Sequence, residues 1–217
     1  GNVGRAWEIL REDGLLVLIN KMLGKIYVLT NKLLGKTYRT TLRRMMPQVG
    51  YFYYNGVEVA DRRLFDRLTP KLWRLRNKPD YEHTEVEGVN QYVGESDDVV
   101  VIGGGFGVTA VHAANNTGGT VTVVEADQDR YQNLTRTFEA NGVSHQIESL
   151  FGYLGDLHVD LGDSNIPMIA YQDIPEADVW DMDCEGAEIE ILQNLPYHPS
   201  TILVETHDNH RKVVELL

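Results

Sequence analysis

Cysteine is almost absent from this sequence. Cys184 stands alone among 217 residues. An intrachain disulfide is therefore excluded, and so is a cysteine-rich zinc site. That agrees with a cytoplasmic chain. Long hydrophobic runs are also missing. No stretch reaches the roughly 20 apolar residues that a membrane span needs. The run Leu15–Ile19 is too short for a signal peptide and lacks a small-residue cleavage site. There is no initiating Met: the chain opens on Gly1, so a longer parent chain is expected.

Positive charge is scarce where it would matter for nucleic acid. Between Asp97 and Glu190 the only basic residues are Arg130 and Arg136. A surface this acidic repels phosphate backbones, and nucleic acid is excluded as a partner. The net charge of −12 is unevenly spread. Residues 1–50 carry nine Lys/Arg against three Asp/Glu, and the remainder 11 against 29. Such an excess of acid reads either as a strongly solvated surface or as adaptation to high salt, which would screen the self-repulsion. The 13 Arg against seven Lys favour the halophilic reading.

What is present divides into three stretches. Residues 1–50 form a basic, amphipathic helical segment, with Leu15, Leu18, Ile19, Met22, Leu23 and Ile26 at helical spacing. The stretch Asn20–Tyr27 is echoed at Asn31–Tyr38, too few copies for a solenoid. Lys21, Lys25, Lys32, Lys36, Arg39, Arg43 and Arg44 suit either an anionic membrane surface, met peripherally, or docking on the core. Gly24 and Gly35 argue against a single unbroken helix. Residues 51–96 read as a hairpin around Asn55-Gly56, then a helical lead-in over Tyr81–Val93. Residues 97–217 alternate strand and helix. Strands are expected at Val99–Ile102, Val121–Val124, Gln146–Ser149, Val179–Met182 and Ile202–Glu205. Helices are expected at Val108–Asn115, Arg130–Asn141 and Ala187–Asn194, and Val159–Asp173 reads as loop or edge structure. This order predicts an α/β fold with a mostly parallel, doubly wound sheet. The chain ends inside a further helix, so later strands would lie beyond Leu217.

The first chemical motif is Gly103-Gly104-Gly105-Phe106-Gly107, which follows a buried strand and opens a helix. Glycines permit positive φ and let a ligand touch the backbone. The helix behind them offers free N–H groups. A plain strand-to-helix turn does not call for four glycines in five positions. Two cofactors fit the loop. Gly105-x-Gly107-x-x-Ala110 satisfies a dinucleotide fingerprint, and Gly103-x-Gly105-x-Gly107 satisfies the loop of S-adenosylmethionine enzymes. Either needs an acid at the end of the next strand for ribose hydroxyls. Glu125 stands there, followed by Ala126, while Asp127 suits a helix cap.

The second motif is Asp183-Cys184-Glu185-Gly186-Ala187-Glu188, between a strand and a helix. Helix capping explains one or two of its carboxylates, not the whole run. The segment resembles the D-x-E-G-A-E signature of FkbM-type methyltransferases. The likeness continues through Ile189–Leu192 and Ile202–His207 and covers about residues 97–210. It implies a Rossmann-like class I methyltransferase fold with an N-terminal helical appendage. It also implies S-adenosylmethionine as donor and O-methylation of a hydroxyl on a sugar, glycan or natural product. Two departures concern the loop. Val101 stands where the family usually has an acid two positions before the first loop glycine, and Gly104-Gly105 replace Ala-Asn. The hold on the cofactor should then shift toward Glu125 and backbone amides.

Methyl transfer to a hydroxyl needs in-line positioning and a base. Asp183, Glu185 and His207 are the candidate bases, and Gly103, Gly104, Gly105, Phe106, Gly107, Glu125, Ala126, Glu148 and Asp183 the candidate cofactor contacts, with Glu148 directed at adenine. A metal held by Asp183, Glu205 and His207 is the less favoured route. Two rival readings remain: a nicotinamide-dependent oxidoreductase, and a degenerate methyltransferase fold that only binds. No Tyr-x-x-x-Lys pair supports the former.

Overall fold

The computed structural model describes residues 15–66, 68–69, 76–155, 166–184, 186–206 and 209–217, with side chains from residue 22 onward. The chain divides into two compact units. One comprises residues 1–49 and 63–75, the other residues 50–62 and 76–217.

The first unit contains α1 (Leu15–Thr40), a single helix that Gly24 and Gly35 do not break. Met22, Leu23, Ile26, Tyr27, Leu29, Leu33 and Leu34 on it are exposed. Arg43, just past its end, is buried and makes a two-pronged ion pair with Asp66, both N···O distances being 2.9 Å. A planar guanidinium matches a carboxylate in this way.

The second unit holds the sheet. The hairpin strands β1 (Gln48–Tyr54) and β2 (Val57–Arg63) turn at Asn55 and Gly56, both at positive φ, as the Asn-Gly pair predicts. The helix α2 (His83–Tyr92) follows. Then come β3 (Val99–Ile102), α3 (Val108–Asn116), β4 (Val121–Glu125), α4 (Gln128–Ala140) and β5 (Ile147–Phe151). A short parallel pair, β6 (Tyr153–Gly155) and β7 (Met168–Ala170), precedes β8 (Val179–Met182), α5 (Glu188–Gln193), β9 (Thr201–Val204) and α6 (His210–Leu216).

The main sheet has the order β5-β4-β3-β8-β9 with every pair parallel. This is the doubly wound, Rossmann-like arrangement expected above. The strands are continuous apolar runs because helices cover both faces. On one face Val100, Ile102, Trp180 and Met182 meet Leu154, Tyr171, Ile174 and Ile191. The other face carries Val99, Val101, Val121, Val123, Val179 and Asp181 by register. There α2 packs on β8 and β9, with Gly88 against Leu203 at 3.5 Å. Strand order reverses at β3, between β4 and β8. Open parallel sheets bind ligands at such a switch point, outside the strands' carboxyl ends.

β6 was not legible in the sequence, being three residues long. The loop or edge structure expected over Val159–Asp173 lies partly outside the described residues, and its later half contains β7 and a turn of 3-10 helix at Tyr171–Asp173.

Candidate functional site

The glycine loop lies at this switch point. Gly103, Gly105 and Gly107 all have positive φ, at 90°, 55° and 81°. Their roles differ. A Cβ on Gly103 would strike the carbonyl of Asp183, so the loop and the second motif are in backbone contact. A Cβ on Gly104 would strike Val123, and one on Gly107 would come within 2.8 Å of Phe138. These three glycines make room for the protein itself. Gly105 is different: the nearest atom to its missing Cβ is Glu82 Oε1, at 3.7 Å. Its open side faces the space between the loop and Glu82.

Glu125 ends β4 and is 5% exposed. Its Oε2 accepts the Gly105 N–H and its Oε1 the Asp127 N–H, each at 2.6 Å. Burial pushes this carboxyl above its usual range, and the two N–H groups pull it back. Asp127 caps α4, accepting from the N–H groups of Asp129 and Arg130 at 2.9 and 3.1 Å. Ala126 lies between these two acids.

Glu82 was not found by sequence reading. It caps α2 in a left-handed conformation, φ 48°. Thr109 Oγ1 of α3 donates to its Oε2 at 2.9 Å. Burial raises its carboxyl, the Thr109 and Tyr81 hydroxyls lower it, and the Asp183 charge raises it again. Its non-glycine positive φ was the one local oddity, and no sequence pattern announces it.

Asp183 follows β8, is half-buried, and donates its N–H to Ile102 O at 3.0 Å. Within the second motif Glu188 is fully buried. Its Oε1 accepts the Gly186 N–H at 2.9 Å and its Oε2 the Asn209 amide at 2.7 Å. Glu188 therefore braces the turn, and Gly186 is needed for its φ of 107°. Burial, then Glu188 and Asp183, push the Cys184 thiol up to about 12, which leaves it protonated and no nucleophile. Glu185 and His207 lie outside the described residues. Among the described residues no group of three His, Cys, Asp or Glu is arranged to hold a metal ion.

Glu148 does not join the loop. It pairs with Thr122 near the amino end of β5, whereas Glu125 pairs with Phe151. Three residues of strand, about 10 Å, separate it from the carboxyl end. At the carboxyl end of β5, the Phe151 ring lies 5.2 Å from that of Tyr131. Phe106 of the loop does have company. Its ring meets Tyr54 at 5.4 Å and Tyr81 at 5.7 Å, edge to face, and the Arg130 guanidinium lies 5.6 Å from it.

Taken together, Gly103, Gly104, Gly105, Phe106, Gly107, Glu125, Ala126 and Asp183 converge at the switch point. Glu82 and Tyr81 join them from α2 and its lead-in.

No family model and no curated protein matches the sequence. Solved structures do. Precorrin-6y C5,15-methyltransferase from Geobacter metallireducens is 16% identical, over 68% of this chain and 72% of that one, with a TM-score of 0.45. A SAM-dependent O-methyltransferase from Thermotoga maritima is 13% identical, over 63% of this chain and 49% of that one, with a TM-score of 0.44. Trm5b from Pyrococcus abyssi is 16% identical, over 69% and 37%, also at 0.44. The chain spans less than two thirds of several structures that it matches. The fold assignment stands on the strand order itself.

Proposed function

We propose that the chain is an S-adenosylmethionine-dependent methyltransferase of the FkbM type, acting on a hydroxyl of a sugar, glycan or other small molecule. The observation that carries this reading is the charge around the glycine loop. Glu82 faces Gly105, Glu125 bonds it, and the charge of Asp183 acts on Glu82. Carboxylates on these sides favour a cationic ligand and repel a pyrophosphate, which weighs against a dinucleotide. The residues present fit S-adenosylmethionine on this ground. When bound, that cofactor would supply a methyl group on a positively charged sulfur.

The chain's own residues would do the rest. Glu125 would accept the ribose hydroxyls while keeping Gly105 and Asp127 in place. The backbone at Gly105 would admit the ligand, since a side chain there would project toward Glu82. Asp183 would accept the proton that the acceptor hydroxyl loses as its oxygen takes the methyl group and the carbon–sulfur bond breaks. A positioned base of this kind contributes about 10²–10⁴-fold. The acceptor class rests on the resemblance in the second motif.

Calorimetry with S-adenosylhomocysteine and, separately, NAD tests the reading. Binding of S-adenosylhomocysteine and not NAD is expected. Binding of NAD alone would overturn it in favour of an oxidoreductase, and binding of neither in favour of a degenerate fold.

A further inference from the structure

The usual acid of the family on β3 is replaced by Val101. The register shows what stands beside it: Val101 pairs with Asp181 on β8, and Asp181 pairs with Leu203 on β9. Parallel register partners point to the same face. That face lies under α2, where Leu203 touches Gly88. Asp181 is thus one strand over from the customary position, on the same level.

Asp181 is 5% exposed, and no hydrogen bond reaches its carboxylate from the described residues. Buried carboxylates are ordinarily paired or hydrogen-bonded, because desolvating one alone is costly. Glu125, on the neighbouring side of β3, obeys that rule with two backbone N–H groups. Asp181 has no such partner among the described residues. The charges that act on it most strongly are negative: Glu82 and Glu85 from α2 and its cap, Asp183 from the end of β8, and Glu205 from the end of β9. The strongest of these, Glu82, is the residue that faces Gly105. This buried acid among acids has no ion-pair partner among the described residues.

We infer that Asp181 and Glu82 receive the α-ammonium group of the cofactor's amino-acid tail, the acid having moved from β3 to β8. This rests on the methyltransferase reading above. An ammonium has three donors and a full charge, so it can serve both carboxylates at once. A divalent metal fits less well, since the described carboxylates hold no metal-like arrangement.

The test compares two ligands on the full chain. S-adenosylhomocysteine carries the ammonium, and 5′-methylthioadenosine keeps the adenosine and sulfur without it. Asp181→Asn and Glu82→Gln should each weaken S-adenosylhomocysteine by roughly tenfold or more, the loss expected for one charged hydrogen bond, and leave methylthioadenosine unchanged. Equal losses for both ligands, or none, would overturn the assignment and leave the methyltransferase reading intact. Failure of the unmodified chain to bind either ligand would overturn both. A second measurement needs no variant. Calorimetry of the unmodified chain in two buffers of different ionisation enthalpy should show proton release with S-adenosylhomocysteine near neutral pH and none with methylthioadenosine. No difference in proton release would overturn the assignment, as would binding of Mg2+ alone that Asp181→Asn abolishes.

Discussion

The ends of β4 and β8 flank the same strand and carry the same kind of side chain in opposite states. Glu125 and Asp181 are both 5% exposed. Glu125 is satisfied by the Gly105 and Asp127 N–H groups. Asp181 has no hydrogen bond from the described residues, and the charges that act on it most strongly are acidic. The first carboxylate holds the loop together before any ligand arrives. The second has no donor among the described residues. Burial alone therefore does not distinguish a structural acid from a ligand-directed one; the distinction lies in what satisfies it.

Three substitutions break or sharpen this contrast. The largest effect is expected for Gly103→Ala, which strikes the joint between the two ends. The added Cβ meets backbone of Asp183, and φ is 90°. Overpacking against an immobile carbonyl plus left-handed strain should cost about 3 kcal/mol or more. For a chain of this size that lowers the melting temperature by roughly 6–12 °C. A melting temperature within about 2 °C of the unmodified chain would show that the two motifs are not locked together.

Glu125→Ala comes next. It leaves two inward N–H groups without their acceptor, at a cost of about 2 kcal/mol. Adenosine binding should suffer with it, so S-adenosylhomocysteine and methylthioadenosine should weaken together. That pattern is the opposite of the one expected at Asp181. Chemical denaturation and calorimetry check the two halves.

The third effect is a pH dependence. Burial, then Glu82, Glu85, Asp183 and Glu205, raise the Asp181 carboxyl from 3.8 to about 8. The folded state thus favours the protonated form. Its contribution is complete below the unfolded value and is lost as pH rises through the folded one. Without ligand, the chain should lose stability steadily between about pH 4 and pH 8, and Asp181→Asn should flatten that decline. Parallel thermal profiles of the two proteins across that range would contradict it.

Much of this molecule was legible in its sequence, for local reasons. The five main-sheet strands and the Asn55-Gly56 hairpin followed from apolar runs and turn chemistry. So did the loop glycines, Glu125 at a strand end and Asp127 as a helix cap. The place of Glu148 was not legible, because a carboxylate near a strand in sequence says nothing of which end of the strand it occupies. Once β5 was seen to run to Phe151, the register moved Glu148 away.

The sequence by itself determined the alternation of strand and helix and the glycine loop, because hydrophobic period and backbone freedom are written residue by residue. Only tertiary structure decided which acids meet at that loop. Glu82 comes from 21 residues before Gly103, and Asp181 comes alongside Val101 through parallel pairing across 80 positions. Such contacts depend on strand order and register, which no local pattern encodes.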